Sequence, residues 1–253
     1  MTKRVRHDIH ELIDRQVFRW HEDSVAIGEP ELPRKPADQP KIGPYVTISR
    51  DFGCGALVVA AILSEKLGWQ VYDKEIIDEV ARESSLRRSV VESHDERVQN
   101  WIVEYVNNLT FMGELSESDF FHHFVRVVTA LGTHGKAILV GRGTNFVLPA
   151  DRGVRVRLVA PFEMRARWVA HRNALDLDEA RRFVSKTDAD RAEFVRRHFH
   201  RDVADASAYD RIFDVSQINH DAVADAIVEM LERKLGIYAP GRSSSVAAAP
   251  SVL

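Results

Sequence analysis

Cysteine is almost absent: Cys54 is the single one in 253 residues. One thiol permits neither an internal disulfide nor a multi-thiolate metal site, and such usage suits a reducing compartment. Long apolar runs are missing as well. The longest, Gly55–Leu63, falls far short of the ~20 residues that a membrane-spanning helix needs. The opening residues MTKRVRHDIHE carry charges where a signal peptide would place its apolar stretch. Nor is there an excess of one charge. With 35 basic against 38 acidic side chains, the formal net charge of −3 argues against a dedicated nucleic-acid binder, though a local basic patch remains compatible with it. These absences point to a soluble, cytoplasmic protein. What is present, 45% hydrophobic and 29% charged residues, is a globular composition that excludes wholesale disorder, collagen and disulfide-stapled miniproteins. The length allows one large or two small domains at roughly 100–200 residues each.

Four stretches follow from the patterning. Residues 1–27 hold an amphipathic helix, with Ile9, Leu12, Ile13, Val17 and Trp20 at helical spacing. Residues 28–44 carry five prolines, a density that precludes both helix and central strand and reads as a linker. The helix is then a separable appendage that docks on the body or on a partner, with a homodimer contact as one reading. Residues 45–238 form the body, and residues 239–253, Ser-, Ala- and Pro-rich without periodicity, form a disordered tail. Within the body, strand-like runs at Tyr45–Ser49, Gln70–Tyr72, Ala137–Val140, Val154–Ala160 and Ile212–Val215 alternate with helical segments. Buried strands separated by helices predict an α/β fold with a parallel sheet.

In such sheets ligands bind beyond the carboxyl ends of the strands. After the first strand comes Ser49-Arg50-Asp51-Phe52-Gly53-Cys54-Gly55, running straight into a helix. A glycine-rich turn that opens a helix presents unpaired N–H groups and the positive end of the helix dipole to an anion. The turn lacks the G-x-x-x-x-G-K-[ST] pattern, because Arg50, Ala56 and Leu57 stand where its first Gly, its Lys and its Ser/Thr would be. Arg50 is a candidate replacement cation, or a partner of Asp51 or Glu83. The second strand ends at Tyr72-Asp73-Lys74, the third at Gly141-Arg142-Gly143. An Arg between two glycines suits bidentate phosphate capture, and equally a solvated turn. Between Glu163 and Arg201 lie nine arginines among seven acids, a salt-bridged face from which a few could close on a polyphosphate. Cys54, at a helix N-terminus, is either a redox-sensitive thiol or a small replacement for Ser. The histidines, His134 among them, are scattered and read as surface residues with no metal-ligand spacing.

The stretches YVTISRDFGCG, LGWQVYDKEII, ILVGRGTNFVLP, VRVRLVAPFEMRARWVAHR, DADRAEFVRRHFHRD and YDRIFDV occur in that order over roughly residues 45–235. Together they resemble the cytidylate kinase-like family of P-loop nucleoside monophosphate kinases. The resemblance implies a three-layer fold with a five-stranded parallel sheet, a helical insert that binds the monophosphate, and an Arg-bearing lid. It places Gly53, Cys54 and Gly55 in the phosphate loop with Arg50 beside them, Asp73 where the acceptor nucleotide is held, Arg142 as a phosphate ligand, and Arg191 and Arg201 as lid arginines. It further implies ATP with Mg²⁺ and a CMP- or dCMP-like acceptor. Gly143 stands where a kinase Gly-Arg-Asp would offer a carboxylate. A nucleotide-binding module without turnover is the alternative.

Overall fold

The computed structural model describes residues 3–26, 42–111, 119–238 and 240, so most of the linker and of the tail lie outside the described residues. The chain forms helix α1 (Lys3–Ala26), strand β1 (Tyr45–Arg50), α2 (Ala56–Leu67), β2 (Gln70–Tyr72) and four successive helices, α3 (Lys74–Arg82), α4 (Ser84–Glu92), α5 (Glu96–Phe111) and α6 (Asp119–His134). There follow β3 (Ala137–Val140), short 3₁₀ turns at Thr144–Phe146 and Ala150–Arg152, β4 (Gly153–Val159), α7 (Phe162–Asn173), α8 (Leu177–Phe199), β5 (Arg211–Asp214) and α9 (His220–Leu235). The five strands are parallel, in the order β2-β3-β1-β4-β5. No described helix is long and apolar enough to cross a membrane.

Strand alternation divides the core into two layers. Val46 and Ile48 of β1, Ile138 and Val140 of β3, and Val154, Val156 and Leu158 of β4 pack with α2 and α9 on one face. Tyr45, Ala137 and Leu139 point to the other face, onto the helical insert α3–α6. On that second face the carboxyl halves of the central strands turn polar: Ser49 and Arg157 are buried there, next to Tyr209, whose hydroxyl donates to Val203 O. Polar groups at the strand ends and apolar groups beneath them put the site where the sheet rule expects it.

Helix α1 docks on the body of its own chain, one of the two placements that its apolar stripe allows. Ile9, Ile13 and Trp20 are buried in the same cluster as the insert, against α3 and α4. The apolar face that the sequence offers to the body or to a partner is covered by the chain itself, while Phe18 remains exposed. Helical spacing finds the apolar stripe, but only packing shows what covers it.

The joint between α1 and the insert is a three-ring stack. The Trp20 and His134 rings lie 3.6 Å apart and the His134 and His94 rings 3.7 Å apart. His134 is therefore half-buried within a ring stack and not the surface residue its scattered context predicts. Ser93 Oγ donates to Val90 O, so its lone pair receives the proton of His134 Nε2 at 2.7 Å. Burial, then the neighbouring His94 and His21, hold the His134 imidazole down at about 2, and burial lowers His94 as well. A folded-state pKa below the unfolded one means that stability is full above about pH 6.5 and is lost as pH falls below it. Each such imidazole should take away up to about 1.4 kcal/mol per pH unit. The melting temperature should fall steadily from pH 7 to pH 5, and His134→Phe, which keeps a ring in the stack without a titrating nitrogen, should flatten that slope. Equal slopes in the two proteins would remove His134 from the account.

Candidate active site

The turn between β1 and α2 is built for close approach. Gly53 and Gly55 have φ of 94° and 68°, a region that side chains rarely adopt. A Cβ on Gly55 would lie 2.4 Å from His220 Nε2, the atom that meets Cys54 O at 3.1 Å. Gly55 caps α2 without a side-chain acceptor. Among the described residues, the N–H groups of Gly53, Gly55, Ala56 and Leu57 meet no acceptor. Open N–H donors at a helix N-terminus are chemically suited to an anion. The loop already holds one oxyanion: Asp188 Oδ1, from α8, accepts from Phe52 N at 2.7 Å.

Asp188 ties this loop to the α7–α8 hairpin. Its other oxygen accepts from Arg165 Nη1 at 2.6 Å, and Arg165 also donates to Phe52 O at 3.0 Å and to Ala160 O at 2.9 Å. Phe52 packs beside Val169, Ala180 and Val184 in a small cluster of its own. Asp51 receives Arg157 Nη2 at 2.6 Å, with Arg165 at 4.0 Å. Burial raises the Asp51 carboxyl against the pull of those two arginines. Arg157 and Arg165 are thus consumed in holding the loop.

Arg50 and Arg191 are not. Among the described residues neither has a carboxylate within ion-pair distance. Arg191 Nη1 reaches Arg50 O at 3.4 Å, and its guanidinium lies 5.1 Å from the Phe52 ring. Arg50 crosses Gly141, where a Cβ would be 1.5 Å from Nη1, so a side chain there, already strained at φ 85°, would displace the guanidinium. Burial first, and then Arg191, push the Arg50 guanidinium down to about 9, with Asp73 and Glu75 opposing at longer range. Burial lowers Arg191 in the same direction, opposed by Asp188 and Asp51. Arg50 therefore pairs with neither Asp51 nor Glu83.

The remaining residues divide. Arg142, at φ 54°, is gripped by Asp78 of α3: Nε donates to Oδ1 at 2.9 Å, Nη2 to Oδ2, and Phe194 lies beneath at 4.5 Å. It is a held arginine and not the unencumbered fork that flanking glycines predict. Asp73 caps α3 by accepting from Ile76 N at 3.0 Å, and burial together with Asp73 raises the neighbouring Glu75 carboxyl. The structure thus gathers Arg50, Gly53, Gly55, Asp73, Arg142 and Arg191 around the ends of β1, β2 and β3. Arg201 stands apart, exposed in the segment after α8 and lining a different cleft. Cys54 is buried, and burial pushes its thiol up to about 12, which leaves it a neutral filler rather than a redox-sensitive group. Asp78, Asp188, Arg157, Arg165 and Phe194 are the site residues that the sequence reading does not reach. For Asp188 a signal exists: in Asp188-Ala189-Asp190-Arg191 it lies three residues before Arg191, on the same helix face.

A parallel sheet of this strand order, with a glycine loop after its central strand and an arginine-bearing hairpin beside it, is a P-loop kinase-like fold. The chain belongs to the cytidylate kinase-like family, whose profile matches residues 45–217. A cytidylate kinase from Methanopyrus kandleri is 31% identical over 113 residues, or 40% of this chain and 58% of that relative's length. Among solved structures, an uncharacterized protein from Eubacterium ventriosum superposes with a TM-score of 0.59 at 19% identity, over 76% of this chain and 99% of that one. A shikimate kinase from Bacteroides thetaiotaomicron aligns with a TM-score of 0.42 at 14% identity, over 76% of this chain and 98% of that one.

Proposed function

We propose that the protein transfers a phosphoryl group from ATP to a nucleoside monophosphate, with a CMP- or dCMP-like acceptor. The observation that carries this reading is the pair of uncommitted guanidiniums, Arg50 and Arg191, beside a loop with four open N–H groups. Phosphoryl transfer is mainly positioning and charge neutralisation of a loose transition state. A loop that has Ala56 in place of its Lys needs a cation from elsewhere, and Arg50 from β1 and Arg191 from α8 supply it. In this reading the loop N–H groups hold the donor phosphates, Arg142 shares itself between Asp78 and the acceptor phosphate, and Asp73 accepts from hydroxyl or amino groups of the acceptor nucleoside.

Mg²⁺, if bound, would supply positive charge to the donor phosphates. Exposed Leu57 and Val58 occupy the first turn of α2, where a hydroxyl ligand would be needed, and no group of three metal-ligating side chains occurs among the described residues. The ion would therefore rest chiefly on phosphates and water.

Leu57 and Ala56 also favour the second reading, nucleotide binding without turnover, and two measurements separate them. ATP should raise the melting temperature, because a ligand at a hundred times its Kd stabilises the native state by about 2.7 kcal/mol. CMP should then accelerate ADP release from ATP. A thermal shift without CMP-dependent ADP leaves the binding module, and no shift with any nucleotide rejects both.

A further inference from the structure

We infer that the cleft beside the Thr144–Phe146 turn is a second binding site, one that takes a small phosphate ester. The cleft has a volume of about 450 Å³ and lies between that turn, the first half of β4 and the segment after α8. None of the loop residues 50–57 and neither Arg142 nor Arg191 lines it. A volume in this range holds a metabolite rather than a few waters.

Its donors lack acceptors. Asn145 in the wall is only 4% exposed, and its Nδ2 hydrogens meet no acceptor among the described residues. Arg155, in the same wall, is ion-paired to Asp210 Oδ2 at 3.8 Å, a distance at which its buried Nε makes no hydrogen bond. A buried donor left unmade is unfavourable, and Asn145, in a wall that also carries a guanidinium, calls for a ligand rich in acceptors. At the mouth, Arg201 is exposed and has no ion-pair partner among the described residues. A free guanidinium fork matches phosphate oxygens.

The one carboxylate in the lining does not oppose this. Asp205 is turned onto its own loop, accepting from Ser207 N at 2.9 Å and Ser207 Oγ at 2.7 Å. Those bonds, with Arg201 nearby, hold it below the usual carboxylate range. The apolar side of the cleft is the Phe146–Phe199 pair, with ring centroids 5.4 Å apart, against which the carbon frame of an ester can lie. Phe199 also touches the candidate active site from behind: a Cβ on Gly143 would meet Phe199 Cε2 at 2.3 Å, one residue from Arg142. One ring separates the cleft from the Arg142 turn.

The test is a two-dimensional NMR titration of the full chain with ribose 5-phosphate, following the side-chain amide of Asn145. Saturable shifts are expected with ribose 5-phosphate and none with ribose. Arg201→Ala, a change at an exposed position, should weaken the apparent affinity at least tenfold. Arg50→Met should leave it unchanged, which separates this cleft from the strand-end site whatever reaction that site performs. No shift at millimolar ester, or a shift that persists in Arg201→Ala but vanishes in Arg50→Met, would overturn the proposal.

Discussion

Replacing Arg142 by Ala is expected to destabilise the protein by about 3–5 kcal/mol, the usual cost of stranding one partner of a buried ion pair. Asp78 sits on α3 with only 6% of its side chain exposed, and Arg142 meets both of its oxygens while 19% exposed itself. Removing the guanidinium leaves a buried carboxylate facing an empty space and the Phe194 ring. Ala is the right replacement because it keeps a Cβ at φ 54°, so the backbone strain stays constant and the difference reads the side chain alone. The double variant Arg142→Ala with Asp78→Ala should recover a large part of the loss, because neither charge is then left unpaired. Urea unfolding of the three proteins measures this. If the single variant loses less than about 1 kcal/mol, or the double variant is no better than the single, the pair is solvated in solution and Arg142 is free for ligands after all.

That pair also changes what Arg142 can contribute to a reaction. An arginine already gripped by a carboxylate presents its remaining N–H groups in a fixed direction, with little rotamer freedom left to lose when a phosphate arrives. It also brings a negative charge with it. In the proposed reaction Asp78 would temper the affinity of this arginine for phosphate while fixing its orientation, whereas Arg50 and Arg191 would provide charge without such a counterweight.

How legible was this in the sequence? The strands were, because β-branched and apolar runs bounded by Gly, Asp and Pro leave few alternatives: Gln70–Tyr72 and Ala137–Val140 have the same limits in the structure. The glycine loop was legible too, since positive φ at Gly53 and Gly55 is what glycine permits. Pairing was not. Arg142 and Asp78 are 64 residues apart, and Phe52 and Asp188 are 136 apart. Nothing in local spacing brings such groups together; the β2-β3-β1 strand order does, by setting α3 beside the turn after β3. For the same reason spacing alone does not separate the nine arginines of Glu163–Arg201, among which the family resemblance singles out Arg191 and Arg201. In the fold Arg165 braces the loop, Arg181 pairs at the surface with Glu163 and Asp178, Arg191 reaches the loop uncommitted, and Arg201 lines another cleft. A lone histidine such as His134 carries no sign of burial, and its place between Trp20 and His94 depends on how α1 docks.

The second large effect concerns Arg50, and its two consequences should have opposite signs. Arg50→Met should slow phosphoryl transfer by about 10²–10³-fold, the range seen when one preorganised transition-state donor is removed, while the melting temperature stays level or rises. The first half follows if Arg50 supplies the cation that the loop lacks at Ala56, since charge on the transferring group is greatest in the transition state. The second half follows from its surroundings. Arg50 is a half-buried guanidinium with no ion-pair partner among the described residues, pushed down to about 9 by burial and by Arg191, so the empty fold carries an unrelieved charge there. Met keeps an unbranched chain over Gly141 without that charge. Residues that strain the fold and serve a ligand are expected at functional sites, where stability and activity oppose each other. Arg50→Lys should restore part of the rate, because a compact ammonium supplies charge but not the fork. The readouts are kcat and the Kd for ATP, set beside the melting curve. Transfer within threefold of the natural protein would show that the cation comes from elsewhere, with Arg191 the next to replace. A lower melting temperature would show that Arg50 is a structural prop, held by contacts that outweigh its buried charge.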